Sequence, residues 1–313
     1  MSLWPPDLEF NPSILDFPRC IFGIWNLEFW NFPHVFFGIW NLPFWNLTMY
    51  SPIRLALKYL KYWIKAKNGK GHGIHSPFVF DLVVSVLNDK GNYYCYEPIE
   101  ALRKDMLQKD EWVTILDLGA GSRKGTSDQR KVSAIAKTAL KPRKYSQLLF
   151  RLANYFKSGT ILELGTSLGI TTCYLASVQH NVRVITMEGV PGIAAKAQDN
   201  FRRMGFENIQ LIEGNFDNTL PPVLKATSKV DFAYIDGNHR YEPTVRYFEQ
   251  IFPHLQPGSC VVLDDIHWSR EMEAAWNKVK VDKRVILTID LFFIGLVFIN
   301  PDIKTKQDFI IRF

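Results

Sequence analysis

No run of 18 uninterrupted apolar residues occurs in the chain, which argues against a helix that spans a membrane. The N-terminus lacks a basic stretch followed by a clean apolar run, so a standard secretory signal is not expected. Cysteine is scarce: Cys20, Cys95, Cys173 and Cys260 are the four, with no Cys-x-x-Cys pair. That excludes a disulfide framework and a zinc-finger spacing, and it fits a reducing compartment and a cytoplasmic protein. Two phosphate-binding signatures are missing at the chain's most distinctive turn, residues 161–169. Its glycines are not spaced as G-x-G-x-x-G, and no Lys-Ser/Thr of a P-loop follows.

That turn organises the rest. Ile161-Leu162-Glu163-Leu164 is an apolar run carrying one acid, and Gly165-Thr166-Ser167-Leu168-Gly169 turns directly into Ile170-Thr171-Thr172-Cys173-Tyr174. The pattern predicts a buried strand, a tight turn and a helix start. An acid at this place repels phosphate, so the ligand expected here is one without phosphates at the turn.

The formal charge is +6, and the first 48 residues hold one Arg and four acids. The remainder is therefore more basic, which favours acidic partners without naming one. Within residues 1–48, Phe22–Trp30 recurs as Phe37–Trp45 with one change in nine positions. Two copies are too few for a solenoid. We expect residues 1–48 to be a poorly structured, aromatic-rich extension, with Met49 as an alternative start. Residues 49–143 read as a helical N-terminal region with a loop at 112–130, and residues 144–313 as the main domain.

Residues 53–67 form a cationic amphipathic helix. Its apolar stripe is Ile53, Leu57, Leu60 and Ile64, with Arg54, Lys58, Lys61 and Lys65 beside it. Weak contact with an anionic membrane surface is one reading. Docking on the main domain with a wet basic face is the other, and the preferred one. His72 and His75 lack a third ligand nearby for zinc. The shaped loop that holds them, 72–78, is either a cover for the site or a structural corner. Ile115-Leu116-Asp117-Leu118-Gly119-Ala120-Gly121 repeats the strand, acid and glycine theme. The polar, basic stretch Arg123 to Lys131 follows it, without an apolar helix. We read it as an exposed loop beside the site.

Beyond the key turn, strands alternate with helices, and acids fall at or just past successive strand ends: Glu163, Glu188, Asp217, Asp236, and Asp264 with Asp265. Functional residues at the carboxyl ends of parallel strands are what an open α/β sheet predicts. Glu188, 23 residues past Gly165, can accept both hydroxyls of a ribose. Phe216 can stack on a ring, and Asn215 or Asp217 can accept from an amine.

Glu163-x-Gly165-x-x-x-Gly169 resembles motif I of the class I S-adenosylmethionine (SAM)-dependent methyltransferases. With Ile235-Asp236-Gly237-Asn238-His239-Arg240-Tyr241-Glu242 and Leu263-Asp264-Asp265, residues 145–300 resemble the small-molecule O-methyltransferase branch. His75-Ser76-Pro77-Phe78 and the region 50–140 look like a bacterial subgroup of it. The resemblance implies a Rossmann-like, seven-stranded, mostly parallel sheet in the order 3-2-1-4-5-7-6, with strand seven antiparallel and a helical N-terminal appendage. It implies SAM held by Glu163, Gly165, Thr166, Ser167, Gly169, Glu188, Asn215, Phe216, Asp217 and Asp236. It also implies a small-molecule methyl acceptor and leaves a homodimer open. Relatives hold a divalent cation, such as Mg²⁺, at places that fall on Asp236, Asp264 and Asp265, with Asp265 standing where they use Asn. Their catalytic lysine has no secure match in Asn238-His239-Arg240. His239, with Asp236 beside it, is the candidate base. The alternatives are N-methylation, action on a sugar nucleotide or peptide, and a non-catalytic SAM- or nucleic-acid-binding module. The Asn/Asp-Pro-Pro-Tyr/Phe motif of base methyltransferases is absent at the fourth strand end, so nucleic acid is not the expected partner.

Overall fold

The computed structural model describes residues 49–115, 128–300 and 302–313. The expectations for residues 1–48 and for the centre of the 112–130 loop lie outside the described residues.

Helix α1 (Pro52–Lys65) starts at Ser51, whose Oγ accepts the Arg54 N–H, with Pro52 in the first turn. Next comes α2 (Pro77–Leu82), which runs into a π turn over Val83–Leu87, and then α3 (Tyr96–Gln108). An antiparallel hairpin of β1 (Trp112–Ile115) and β2 (Asp128–Lys131) carries the loop between them. Helices α4 (Val132–Ala139) and α5 (Arg143–Tyr155) then lead to the main sheet.

The main sheet alternates with helices in chain order: β3 (Thr160–Leu164), α6 (Ile170–Ala176), β4 (Arg183–Glu188), α7 (Pro191–Arg203), β5 (Ile209–Glu213), α8 (Phe216–Ala226), β6 (Val230–Ile235), α9 (Tyr241–Ile251), β7 (Leu255–Asp264), α10 (Arg270–Val281), β8 (Leu287–Asp290), β9 (Ile294–Phe298) and β10 (Gln307–Ile310). The strand order is β10-β8-β9-β7-β6-β3-β4-β5. Counted from β3, the first seven strands run 3-2-1-4-5-7-6, and β9 is antiparallel to both neighbours, as expected. The difference is an eighth strand: β10 adds parallel to β8. Helices cover both faces, so the central strands are apolar on both sides. Ile161, Phe232 and Val262 face one core, while Leu162, Ala233 and Val261 face the other. The helices before β3 share the first core through Ile99, Leu102, Met106 and Leu148.

Three local features add to or change the reading of the sequence. Helix α8 forms although Pro221 and Pro222 lie inside it. Asn215 starts it, accepting the Asp217 N–H at 2.9 Å. The loop 72–78 is anchored at its last residue. Phe78 packs edge-on against Phe298, which pairs with Cys260, four residues before the site end of β7. Phe78 therefore sits about 13 Å along the strand from that end.

The third change is the face on which α1 docks. Leu55 and Tyr62 are buried, whereas Ile53, Leu57, Leu60 and Ile64 face outward. Tyr59 meets Phe292 edge-on, the Tyr62 hydroxyl donates to the Ile311 carbonyl, and Lys58 and Tyr50 both donate to Glu273. Aromatic rings and one half-buried acid hold the helix by the side opposite its aliphatic stripe.

Candidate active site

The turn after β3 is shaped by its own backbone. Gly165 and Thr166 donate their N–H groups to the Met187 carbonyl at 3.0 and 3.1 Å. Gly165 has φ +105°, and a Cβ there would stand 2.1 Å from the Asp236 carbonyl oxygen. Glycine therefore lets β3 and the end of β6 approach. Gly169 has φ +84°, and a Cβ there would strike the Phe201 ring, so its role is helix packing.

Glu163 lies beneath the turn and is fully buried. Its Oε2 accepts the Thr172 hydroxyl at 2.5 Å and the Thr186 hydroxyl at 2.7 Å, while Oε1 has no partner. It thus stitches β3 to α6 and β4. Burial pushes its pKa from 4.5 to about 7, against the two hydroxyl donors, which lower it. Folding then takes up a proton between those two values. The stabilisation is complete below pH 4.5 and is lost as pH rises through 7. Glu163→Gln should flatten this slope, on the order of 3 kcal/mol across the window. Urea titrations at several pH values check it, and an undiminished slope in the variant would remove Glu163 as its source.

Glu188 ends β4, beside the turn. Its Oε2 accepts the Ser167 N–H at 2.8 Å and its Oε1 accepts the Val190 N–H at 3.0 Å. Ser167 itself has φ +49°, which aims that N–H at the carboxylate. Burial raises the Glu188 pKa, and the backbone donors oppose the rise. The β1–β2 hairpin reaches this corner: a Cβ at Gly192, in the first turn of α7, would stand 2.3 Å from the Thr114 carbonyl oxygen.

Just after β5 in the chain, Phe216 reaches back to the end of β6 and lies against Gly237, where a Cβ would be 2.4 Å from the ring. Asn215 is spent on capping α8. Asp217 accepts from Arg246 at 2.7 Å and from Tyr247 at 2.8 Å. Burial opposes ionisation of Asp217, but these two donors outweigh it and hold the carboxyl below its usual range.

The ends of β6 and β7 bring Asp236, His239, Asp264 and Asp265 together, and a residue that sequence reasoning missed joins them. Lys141, between α4 and α5, places its ammonium on Asp264 and 3.9 Å from Asp265. Its backbone carbonyl accepts from Arg103 at 2.7 Å and from the Ser146 hydroxyl, which fixes the approach. Burial works against the charged lysine, but Asp264 first, then Asp265 and Asp236, outweigh it and hold its pKa up. Asp264 is correspondingly held low by Lys141 despite its burial. Asp236 is pushed well up by burial and by the Asp264 charge, and Asp265 is raised for the same two reasons. Tyr234 donates to Asp236 Oδ2 at 2.8 Å, and His239 Nε2 lies 3.6 Å from Oδ1.

This donor set does not fit a resident divalent cation. The ammonium already occupies the charged carboxylate, and the other two carboxyls are pushed toward their neutral form. Among the described residues, no group of three or more His, Cys, Asp or Glu side chains could hold a metal ion. Where the resemblance implies Mg²⁺, at Asp236, Asp264 and Asp265, a lysine 123 residues from Asp264 in sequence supplies positive charge.

A family model described as a methyltransferase domain matches residues 162–266, which run from β3 to just beyond β7 and include the glycine turn. This segment is thus similar to a methyltransferase domain. An uncharacterized protein of Acanthamoeba polyphaga mimivirus is 27% identical over 149 residues, 43% of this chain and 66% of its own length. The O-methyltransferase imqG of Aspergillus flavus is 27% identical over 112 residues, 34% of this chain and 44% of its own length. The chain thus spans less than two thirds of either curated relative. The SAH-bound methyltransferase PaMTH1 of Podospora anserina superposes with a TM-score of 0.51 at 14% identity, covering 72% of this chain and 97% of that one. At that identity the likeness concerns the fold.

Proposed function

We propose that the protein is a SAM-dependent methyltransferase acting on a hydroxyl of a small molecule. The observation that carries this reading is the placement of Glu188. Two backbone donors orient its carboxylate beside the glycine turn, and the Asp236–His239 pair ends a strand next to β3. The orphaned Oε1 of Glu163 and Oγ of Ser167 at the same turn support a polar ligand there. The named activity of the Aspergillus relative supports O-methylation.

SAM, when bound, supplies an electrophilic methyl on a positively charged sulfur. The chain's part is to position and to take a proton. Glu188 accepts the ribose hydroxyls, the 163–169 turn seats the amino-acid end, and Phe216 covers the base. His239 takes the proton of the acceptor hydroxyl, and Asp236 orients the imidazole. The Lys141–Asp264 pair keeps the floor of the site neutral without a metal. Cys95, Cys173 and Cys260 are buried free thiols, which supports a cytoplasmic protein.

The test is calorimetric titration with SAM, followed by a screen of hydroxylated small molecules for methyl uptake. Methylation of a hydroxyl should proceed fully in EDTA. His239→Ala should lower kcat by roughly 10²–10⁴ with SAM affinity unchanged. Loss of activity in EDTA with recovery in Mg²⁺ would sink the metal-free mechanism, and absence of SAM binding would sink the reading as a whole.

A further inference from the structure

The methyl-transfer reading leaves the outward face of α1 unused. Ile53, Leu57, Leu60 and Ile64 are 76, 63, 54 and 67% exposed. Their spacing of four, three and four residues places them in one stripe along the helix. Exposed aliphatic residues scattered singly need no explanation, but four aligned along one helix do. The helix is also not loosely attached. Leu55 and Tyr62 are buried beneath it, and Lys58 and Tyr50 are bonded to Glu273. The stripe is therefore held outward by the tertiary structure.

Charge selects the occupant. Residues 49–80 hold six Lys or Arg and no Asp or Glu. Arg54, Lys61 and Lys65 on the helix are exposed, as are Lys67 and Lys70 just past its end. A second copy meeting this face across a two-fold axis would bring these cations against themselves. A surface of negative charge over an apolar interior complements both parts at once. A helix of 14 residues is also too short to cross a bilayer, so it would lie in the interface plane.

We propose that α1 docks this protein on anionic lipid surfaces, with Ile53, Leu57, Leu60 and Ile64 inserted below the headgroups and the flanking lysines on the acidic lipids. This inference does not rest on the methyl-transfer reading, and SAM affinity measured on the same samples separates the two.

The experiment is co-sedimentation of the full chain with vesicles of phosphatidylcholine alone or mixed with phosphatidylserine, at low and high salt. Binding is expected to the mixed vesicles and to weaken with salt. Leu57→Gln with Leu60→Gln should reduce it by about tenfold or more, and so should Lys61→Glu with Lys65→Glu. All four positions are exposed, so both variants should melt like the parent. Absence of binding to phosphatidylserine vesicles overturns the proposal, as does unchanged binding by both variants. Light scattering that shows a dimer abolished by the Leu57/Leu60 variant, without vesicle binding, would assign the face to a second copy instead.

Discussion

Lys141→Met is expected to destabilise the protein by about 3–5 kcal/mol, the usual range when one partner of a buried ion pair is removed. The reason is what remains. Asp264 is 1% exposed and already has one oxygen, Oδ1, without a hydrogen-bond partner. Taking away the ammonium leaves that carboxylate beside Asp236 and Asp265 with no resident cation. The group can then only take up a proton or unfold its surroundings. A double variant, Lys141→Met with Asp264→Asn, should recover much of the loss, because the unpaired charge goes with the lysine. Denaturant unfolding of the parent, the single and the double variant checks this. If the single variant costs less than about 1 kcal/mol, or the double variant is no better, the pair is not the neutralising element we describe.

Glu188→Ala is expected to weaken SAM binding by roughly 30- to 1,000-fold, equivalent to about 2–4 kcal/mol. Two losses add. The ribose hydroxyls lose their shared acceptor, and the Ser167 and Val190 N–H groups, now bonded to this carboxylate at 2.8 and 3.0 Å, lose theirs. The left-handed backbone at Ser167 is then held by one fewer bond, so the turn loosens too. Glu188→Gln keeps one acceptor oxygen and should fall between the parent and the alanine variant. Calorimetry on folded protein decides it. Affinity within about threefold of the parent in Glu188→Ala would take Glu188 out of the cofactor site.

The sequence by itself determined the sheet. Apolar runs such as Val230–Ile235, separated by helix-length amphipathic segments, admit little besides a doubly covered parallel sheet, and the strand order follows the family pattern. It also placed Glu163, Glu188, Asp236 and Asp264 at strand ends, because position along a strand is a local property. What those carboxyls touch was decided only by the tertiary structure. Whether Glu163 meets a ligand or two threonines, and whether Asp217 faces an amine or Arg246, depends on contacts across 9 to 29 residues and on rotamer. The partner of Asp264 lies farther still, 123 residues back, where Lys141 reads only as the end of a helix before Pro142. The periodicity of α1 showed an apolar stripe but not its direction. A helix can be anchored by whichever side binds more strongly. Here Tyr59, Tyr62 and the bonds to Glu273 anchor the polar-aromatic side and leave the aliphatic stripe outside. Local spacing specifies which residues share a face or a strand end. Which of those faces is buried, and which charges are paired, is a competition among distant groups that only the folded chain resolves.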